Sequence, residues 1–356
     1  MSDSKVEAAI HHWAPRFVSN GVSLTDFQEV TQTLLHWKDW CQAWVQRARV
    51  HELMGDEAMH KGTTLSAGEH WSRAALCYHF AKFVFVEDVV QMRDAHRKAV
   101  ECRQKALPYL QPPGERVKIT FGAHHFMGIL RKPLGVKKPP LVVMCVGLDS
   151  TKEETQAYET PFLDRGMAIL VFDGPGQGEA EYDMPIRGDY EVAVSAVMDW
   201  VGKRSDIDPE RVGLWGVSMG GYYAARAAAF EPRIKACISL SGPFDWVEHW
   251  ETMNELTRET FRVRAKQVSL TQAKEVAARL TLKHCAHQIR CPLYVVAGQL
   301  DRIVPWTDGE KLARAAQGPV EFVLIPDGNH VANNRAYRWR SQSADWMGLQ
   351  LGLKAR

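Results

Sequence analysis

The stretch Gly216-Val217-Ser218-Met219-Gly220 decides the fold of this chain because of the runs on either side of it. The apolar run Val212–Trp215 before it is typical of a buried strand, and the alanine-rich run Tyr222–Ala229 after it is typical of a helix. A serine on a sharp strand-to-helix turn projects its hydroxyl away from the backbone, and flanking glycines permit a turn that a Cβ atom would obstruct. The sequence therefore predicts Ser218 as a nucleophile.

An acid and a histidine follow Ser218 in the order that the α/β-hydrolase arrangement requires. Asp301 stands in the loop after the strand-like run Pro292–Gly298, and His330 stands in the loop after the run Val320–Ile325. We predict that His330 is the general base that takes the Ser218 proton. Asp301 would hold the imidazole in the correct tautomer and stabilise its protonated form.

A second acid, Asp245, also follows a strand-like run and competes with Asp301 for this role. Asp301 has the better loop context for a residue that must meet a histidine at the end of the next strand. Asp301 is therefore preferred, and Asp245 remains the alternative.

A tetrahedral intermediate needs hydrogen-bond donors where its oxyanion develops. The backbone N–H of Met219, directly after the nucleophile, is one expected donor. The second is expected from the turn after the strand-like run Pro140–Val146, where Leu148 N–H is the preferred group and Gly147 allows close approach of the backbone to a substrate.

The pattern from about residue 5 to residue 107 is helical, and a cluster of proline and glycine between residues 108 and 114 marks a boundary. We predict a helical N-terminal cap domain at residues 1–112 and a catalytic domain at residues 113–356. Residues 243–287 are too long for a simple connection between strands, so they are predicted to form a second cap segment.

Three helices are expected within the cap domain. Thr25 and Asp26 are expected to cap a helix that continues to Trp44, a second is expected from Glu69 to Phe85, and a third from about residue 89 to residue 106.

The pattern after residue 114 changes to strands and then to alternating strands and helices. Buried strands are expected near residues 141–146, 168–172, 211–215, 235–240, 292–297 and 320–325. The predicted fold class is α/β, an α/β-hydrolase fold with a mostly parallel sheet, helices on both faces and a helical N-terminal cap. Ligands of such sheets bind outside the carboxyl ends of the strands, which is the edge to which the candidate residues map.

The charge balance excludes several classes of partner. The 44 basic and 42 acidic residues give a net charge of +2 without long runs of either sign, so neither nucleic acid nor a membrane surface is an expected partner. The N-terminus has no apolar signal core, and no apolar stretch approaches the length of a membrane span. A cytoplasmic protein that acts on a small molecule is expected.

The cysteine and histidine patterns do not predict a metal site. The seven cysteines form no Cys-x-x-Cys pair and are expected as buried, reduced thiols, and the 14 histidines include no His-Glu-x-x-His motif. The glycine-rich stretch Gly174–Gly178 lacks the Lys-Ser/Thr ending of a phosphate-binding loop and is interpreted as a tight turn. We therefore predict no metal and no cofactor.

The chain resembles the 2,6-dihydroxypseudooxynicotine hydrolase family, which is close to the fermentation-respiration switch esterases and the fungal polyketide-shortening hydrolases. The resemblance covers most of the chain from about residue 65 and rests on the runs Gly147–Glu154, Asp164–Ala168, Phe172–Glu179, Gly188–Glu191 and Glu231–Ser239. It implies a capped α/β-hydrolase, usually a homodimer, that hydrolyses carbon–carbon bonds beside a ketone or, in some relatives, esters. Ser218, Asp301 and His330 match the positions of the triad in that family.

The resemblance also implies a functional carboxylate at Asp149, where the nicotine-degrading enzyme has a glutamate. The shorter side chain means that the same substrate is not implied. Contact with a substrate hydroxyl or proton donation is one interpretation of Asp149, and local helix capping is the other. Tyr78, His79, Tyr222 and Trp246 are further candidates for substrate contact, with packing in the core or under the cap as the alternative.

The expected function is hydrolysis of a carbonyl substrate by a Ser-Asp-His triad. The bond is an ester, an amide or a carbon–carbon bond next to a ketone, in an aromatic or polyketide-like molecule. A catalytically silent hydrolase fold that serves as a binding or regulatory module is the alternative, and the complete set of triad residues argues against it.

Overall fold

The N-terminal part of the chain is helical, as its pattern predicts. The computed structural model describes residues 3–354, and its first helices are α1 (Ser4–Ser19), α2 (Leu24–Thr31), α3 (Trp40–His60), α4 (Thr64–Lys82) and α5 (Val89–Ala106). Helix α4 packs against both α3 and α5. The third predicted helix has the bounds of α5, which begins after Asp88, whose carboxylate accepts from the N–H groups of Val90 and Gln91.

The single helix expected from residue 25 to Trp44 is wrong, because α2 ends at Thr31. The N-cap is Ser23, whose hydroxyl accepts from the N–H of Asp26 at 3.0 Å. At the other end, the hydroxyl of Thr31 donates to the carbonyl of Phe27 at 2.7 Å, and that of Thr33 donates to Val30 at 3.3 Å. Such side-chain bonds compete with continuation of the backbone ladder.

Aromatic packing forms the core of this helical part. The rings of Phe17 and Phe80 stack with centroids 3.7 Å apart, and Trp44 lies 5.1 Å from Phe17. The indole of Trp40 donates to the carbonyl of Phe80 at 2.9 Å, so a buried polar group is satisfied.

The second part of the chain is built on one sheet. The strands there are β1 (Gly114–Phe121), β2 (His124–Arg131), β3 (Leu141–Cys145), β4 (Ala168–Phe172), β5 (Val212–Val217), β6 (Ile234–Leu240), β7 (Leu293–Gly298) and β8 (Val320–Ile325). Within residues 3–354 they form an eight-stranded sheet in the order β1-β2-β4-β3-β5-β6-β7-β8. Strand β2 pairs antiparallel with β4, and β3 to β8 pair parallel.

The helices of this second part stand between and after the strands. They are α6 (Gln156–Asp164), α7 (Glu191–Val201), α8 (Met219–Phe230), α9 (Glu255–Arg264), α10 (Leu270–Ala277), α11 (Trp306–Ala315) and α12 (Arg340–Gln350). Helix α8 contacts β5, β6 and β3, while α11 contacts β7 and β8. The predicted α/β class with a mostly parallel sheet is confirmed.

The chain divides into two compact units. The first contains the described residues up to Arg116 together with Glu153–Ala157, and the second contains Val117–Lys152 and the described residues from Tyr158 onward. Residues 243–287 lie in the second unit, where Trp246, Phe261 and Leu282 belong to its apolar core. None of the helices in the described part of the chain is long and apolar enough to span a bilayer.

The short insert Glu153–Ala157 brings a buried charge into the helical unit. The Glu154 carboxylate accepts two hydrogen bonds from Arg16, each 2.7 Å long, and one from Asn20 at 2.8 Å. Its Oε2 atom also lies 3.1 Å from Nε2 of His79. Burial disfavours the ionised form, but the charges of Arg16 and His79 outweigh it and hold the pKa of Glu154 below its usual range.

Candidate active site

Ser218 stands at a sharp turn between β5 and α8. Its φ of 56° and ψ of −125° lie in a region that non-glycine residues rarely adopt. A Cβ atom on Gly216 would lie 2.0 Å from the carbonyl oxygen of Gly220, and one on Gly220 would lie 2.1 Å from that of Cys145. Only glycine fits at these two positions, because the strand, the turn and the helix approach so closely there.

The three side chains expected to form a triad are in contact. Oγ of Ser218 lies 2.9 Å from Nε2 of His330, and Nδ1 of His330 lies 2.7 Å from Oδ2 of Asp301. The other carboxylate oxygen of Asp301 accepts from the N–H groups of Ile303 and Val304 at 2.8 and 3.0 Å. The carboxylate is therefore held on both oxygens, and its side chain is fully buried.

The loop that carries His330 turns sharply and is bound to the side chain of Ser241. Val331 and Ala332 have φ values of 60° and 47°, so the chain turns sharply after the histidine. The N–H of Val331 donates to the hydroxyl of Ser241 at 3.1 Å. These contacts tie the histidine loop to the end of β6, and the imidazole gains a defined position from them.

The alternative acid has other partners. Asp245 lies 2.6 Å from Nζ of Lys283 and accepts from the N–H of Val247 at 3.3 Å, which caps the short helix Trp246–His249. The acid in contact with His330 is Asp301.

Two backbone donors flank Ser218. Met219 is the first residue of α8, so its N–H has no intrahelical acceptor, and no side chain in the described part of the protein caps this helix. Leu148 lies in the turn after β3, and within residues 3–354 its N–H takes part in no hydrogen bond. A Cβ atom on Gly147 would lie 3.1 Å from the carbonyl oxygen of Val217, which places this turn against the end of β5.

The candidates for substrate contact in the second unit differ in exposure. Asp149 is half-buried in the turn after β3. Tyr222 is fully buried, and its hydroxyl donates to the carbonyl of Gly188 at 2.6 Å. Trp246 is buried against Phe261, with ring centroids 5.8 Å apart, and its indole N–H has no partner among the residues described.

Tyr78 and His79 are buried within the helical unit. The Tyr78 hydroxyl donates to Glu52 at 2.7 Å, and burial together with this carboxylate raises the pKa of Tyr78 above its usual range. His79 is fully buried beside Glu154. Both side chains thus have partners inside their own unit, in keeping with the core interpretation of this helix face.

Sequence reasoning missed three side chains at the Leu148 turn. Gln177 and Tyr190 form a hydrogen-bonded pair beside Gly147, and the Arg264 guanidinium donates to the carbonyl of Leu148. Gln177 belongs to the glycine-rich stretch interpreted only as a tight turn. The position of Gln177 at the carboxyl end of a central strand was a signal that could have marked it as a site residue. No such signal marked Arg264, which stands in an ordinary helical pattern.

Comparison with known proteins agrees with this architecture. A profile of the prolyl oligopeptidase family matches residues 154–354, more than half of the chain. The 2,6-dihydropseudooxynicotine hydrolase of Paenarthrobacter nicotinovorans is 35% identical over 97% of this chain and 93% of its own. The hydrolyase poxO of Penicillium oxalicum is 34% identical over 58% of this chain and 53% of its own.

Solved structures give the same result. A crystal structure of 2,6-dihydroxy-pseudo-oxynicotine hydrolase superposes with a TM-score of 0.88 at 34% identity, covering 95% of this chain and 96% of that one. AbyA5 superposes with a TM-score of 0.73 at 20% identity over 88% and 89% of the two chains, which shows the shared fold alone. The chain is therefore a hydrolase of the α/β-hydrolase superfamily and belongs to the prolyl oligopeptidase family, in the group that contains 2,6-dihydropseudooxynicotine hydrolase.

Proposed function

We propose that this hydrolase cleaves a carbon–carbon bond next to a ketone, with Ser218, His330 and Asp301 as its catalytic triad. The observation that carries the proposal is the continuous path of two hydrogen bonds from Oγ of Ser218 through His330 to Asp301, 2.9 and 2.7 Å long. A nucleophile, a base within reach of its proton and a third group that orients the base are the parts that acyl transfer needs.

The reaction begins when His330 removes the proton of Ser218 and Oγ attacks the substrate carbonyl carbon. The oxyanion that forms accepts hydrogen bonds from the N–H groups of Leu148 and Met219, neither of which has an acceptor among residues 3–354. The bond from this carbon to its neighbour then breaks, and its electron pair becomes the enolate of the adjacent ketone. His330 returns the proton to the α-carbon of this enolate. Water, activated by His330, then releases the acyl group from Ser218 as a carboxylic acid.

The choice of a carbon–carbon bond is supported by the similarity to 2,6-dihydropseudooxynicotine hydrolase along 97% of the chain. Ester cleavage uses the same triad and the same donors, so the experiment must distinguish it from carbon–carbon bond cleavage. Asp149, half-buried next to Leu148, is proposed to contact a hydroxyl of the substrate.

Turnover of an aryl 1,3-diketone beside a short aryl ester tests this function. Diketone cleavage with little esterase activity, abolished in Ser218→Ala, supports the proposal. Ester turnover alone, lost in the same variant, would make the protein an esterase. Turnover that survives in a folded Ser218→Ala variant would refute Ser218 as the nucleophile.

We further propose a homodimer that resides in the cytoplasm. The dimer follows from the family resemblance, and light scattering coupled to gel filtration would measure it. The cytoplasm is supported by the seven cysteines, which are all free thiols, six of them buried. Cell fractionation tests the compartment, and recovery of the protein outside the cytoplasm would refute it.

A further inference from the structure

The direction of the Leu148 N–H depends on the carbonyl of Gly147, because the two belong to one planar peptide group. In a trans peptide the C=O and N–H bonds point in opposite directions. A group that binds the Gly147 carbonyl oxygen therefore fixes the Leu148 N–H in the opposite direction. This argument rests on the proposed role of Leu148 as an oxyanion donor.

The group behind the Gly147 carbonyl is the side chain of Gln177. Its Nε2 donates to the carbonyl of Gly147 at 3.0 Å and also to the preceding carbonyl, that of Val146. The two donors of one amide thus hold two consecutive peptide groups at the end of β3. Gln177 is fully buried, so water does not compete for these carbonyls.

Tyr190 sets the orientation of the Gln177 amide. Its hydroxyl donates to Oε1 of Gln177 at 2.7 Å, which leaves Nε2 to face the two carbonyls. The Tyr190 ring is fully buried and stacks on Tyr223, with centroids 3.7 Å apart and planes at 9°. A Cβ atom on Gly174 would lie 2.0 Å from the Tyr190 hydroxyl, so glycine is required for this approach.

The carbonyl of Leu148 itself is held from another direction. The Arg264 guanidinium donates to it, and a second nitrogen of that group lies 3.5 Å from Glu181. Both peptide groups that flank the Leu148 Cα atom are therefore restrained by buried side chains, although no hydrogen bond in the described chain uses the Leu148 N–H.

We propose that Gln177, oriented by Tyr190, is a positioning residue that aims the Leu148 N–H at the oxyanion formed from the Ser218 substrate. Neither side chain needs to touch the substrate. Loss of the restraint would let the peptide rotate, so the donor would stabilise the transition state less while the binding of the ground state changed little.

The test compares three variants with the wild-type enzyme on the substrate that it turns over. Gln177→Met keeps the side-chain length and removes both donors, and Tyr190→Phe removes one hydroxyl. Tyr223→Phe is the matched control, because the Tyr223 hydroxyl is equally buried in the same ring stack and has no partner among the described residues. The readouts are kcat, KM, the melting temperature and the inhibition constant of an aryl boronic acid, whose tetrahedral adduct places an oxygen at the oxyanion position.

Loss of one oxyanion donor typically lowers kcat by about 10²–10³-fold, so a misdirected donor is expected to lower it by about 10–100-fold in Gln177→Met. A smaller loss in the same direction is expected in Tyr190→Phe. KM should stay within about twofold of the wild-type value, while boronate binding weakens in step with kcat/KM. Tyr223→Phe should match the wild type in all four readouts.

Unchanged kcat and boronate affinity in folded Gln177→Met would overturn the inference. A rise in KM alone, or an equal loss of kcat in Tyr223→Phe, would also overturn it. If Gln177→Met does not fold, Tyr190→Phe carries the test by itself. Ser218→Ala separates the two proposals: turnover that survives there refutes the proposed function, whereas its loss beside a fully active Gln177→Met refutes only the role of Gln177.

Discussion

Nδ1 of His330 lies 2.7 Å from Oδ2 of Asp301, while Oδ1 of the same carboxylate is held by the N–H groups of Ile303 and Val304. The carboxylate therefore cannot rotate freely, and it can fix one tautomer of the imidazole. A carboxamide at this position could not serve in the same way, because its NH2 group is a donor only.

Asp301→Asn is expected to lower kcat by about 10⁴-fold with little change in the fold, because the wrong histidine tautomer would face Ser218. Asp245→Asn is the matched control, since Asp245 pairs with Lys283 and caps a short helix. It should leave kcat within a few-fold of the wild-type value. Steady-state kinetics beside thermal melts of both variants measure this difference, and an equal loss of kcat in both would contradict the assignment of Asp301.

Gly220→Ala is expected to destabilise the protein and to abolish activity. The added Cβ atom would lie 2.1 Å from the carbonyl oxygen of Cys145, so β3 and the start of α8 would have to separate. Overpacking of this kind typically costs about 1–3 kcal/mol. In Gly202→Ala the nearest atom lies 3.5 Å from the new Cβ atom, and no loss is expected. Chemical denaturation of both variants is the measurement, and equal stability of the two would contradict the close approach.

Glu154→Gln is expected to destabilise the protein by about 3–5 kcal/mol at pH 7, because the buried Arg16 would lose the carboxylate that now accepts two of its hydrogen bonds. The pKa of Glu154 is lower in the folded state than its usual value of 4.5. Its ionised form therefore stabilises the fold above that value, and the contribution is lost as the pH falls toward the folded pKa.

The free energy of unfolding should consequently fall between about pH 5 and pH 3 in the wild type, and less steeply in Glu154→Gln. Glu57→Gln is the control, because Glu57 pairs with Lys61 on an exposed surface, where solvent screens the pair, and should change the stability and its slope far less. Urea titrations across this pH range measure both quantities. Parallel curves for the wild type and Glu154→Gln would show that the buried ion pair does not contribute.

Asp149→Asn is expected to lower kcat/KM about tenfold for an aryl diketone with a hydroxyl on its ring, since hydrogen bonds to charged groups are worth about 1.5–3 kcal/mol. The same diketone without the hydroxyl is the control and should lose much less. Equal losses for the two substrates would argue that Asp149 supports the local turn and does not contact the substrate.

Much of the sheet and the site could be predicted from the sequence, because both depend on local patterns. Apolar runs marked the strands β3 to β8, and glycines on both sides of Ser218 marked a turn with no room for a side chain. The expectation that residues 320–325 form a buried strand is wrong, because β8 lies at the edge of the sheet and only its last residue, Ile325, is buried. Asp301 and His330 could be placed beside Ser218 because the carboxyl ends of parallel strands meet at one edge of a sheet.

The break between α2 and α3 was not predicted, because the apolar periodicity continues through residues 32–36, and the side-chain bonds of Thr31 and Thr33 that accompany the break have no periodic signature. The membership of Glu153–Ala157 in the helical unit was likewise invisible, since the segment stands within the catalytic half of the sequence.

By itself, then, the sequence determined the α/β class, the turn that carries Ser218 and the order of the three candidate catalytic residues. Tertiary structure alone decided what supports the Leu148 turn: Gln177 bonds to a carbonyl 30 residues away, and Arg264 to one 116 residues away. The physical reason is that a buried amide or guanidinium can satisfy any carbonyl within reach. Only the packing of the whole chain brings one particular carbonyl there.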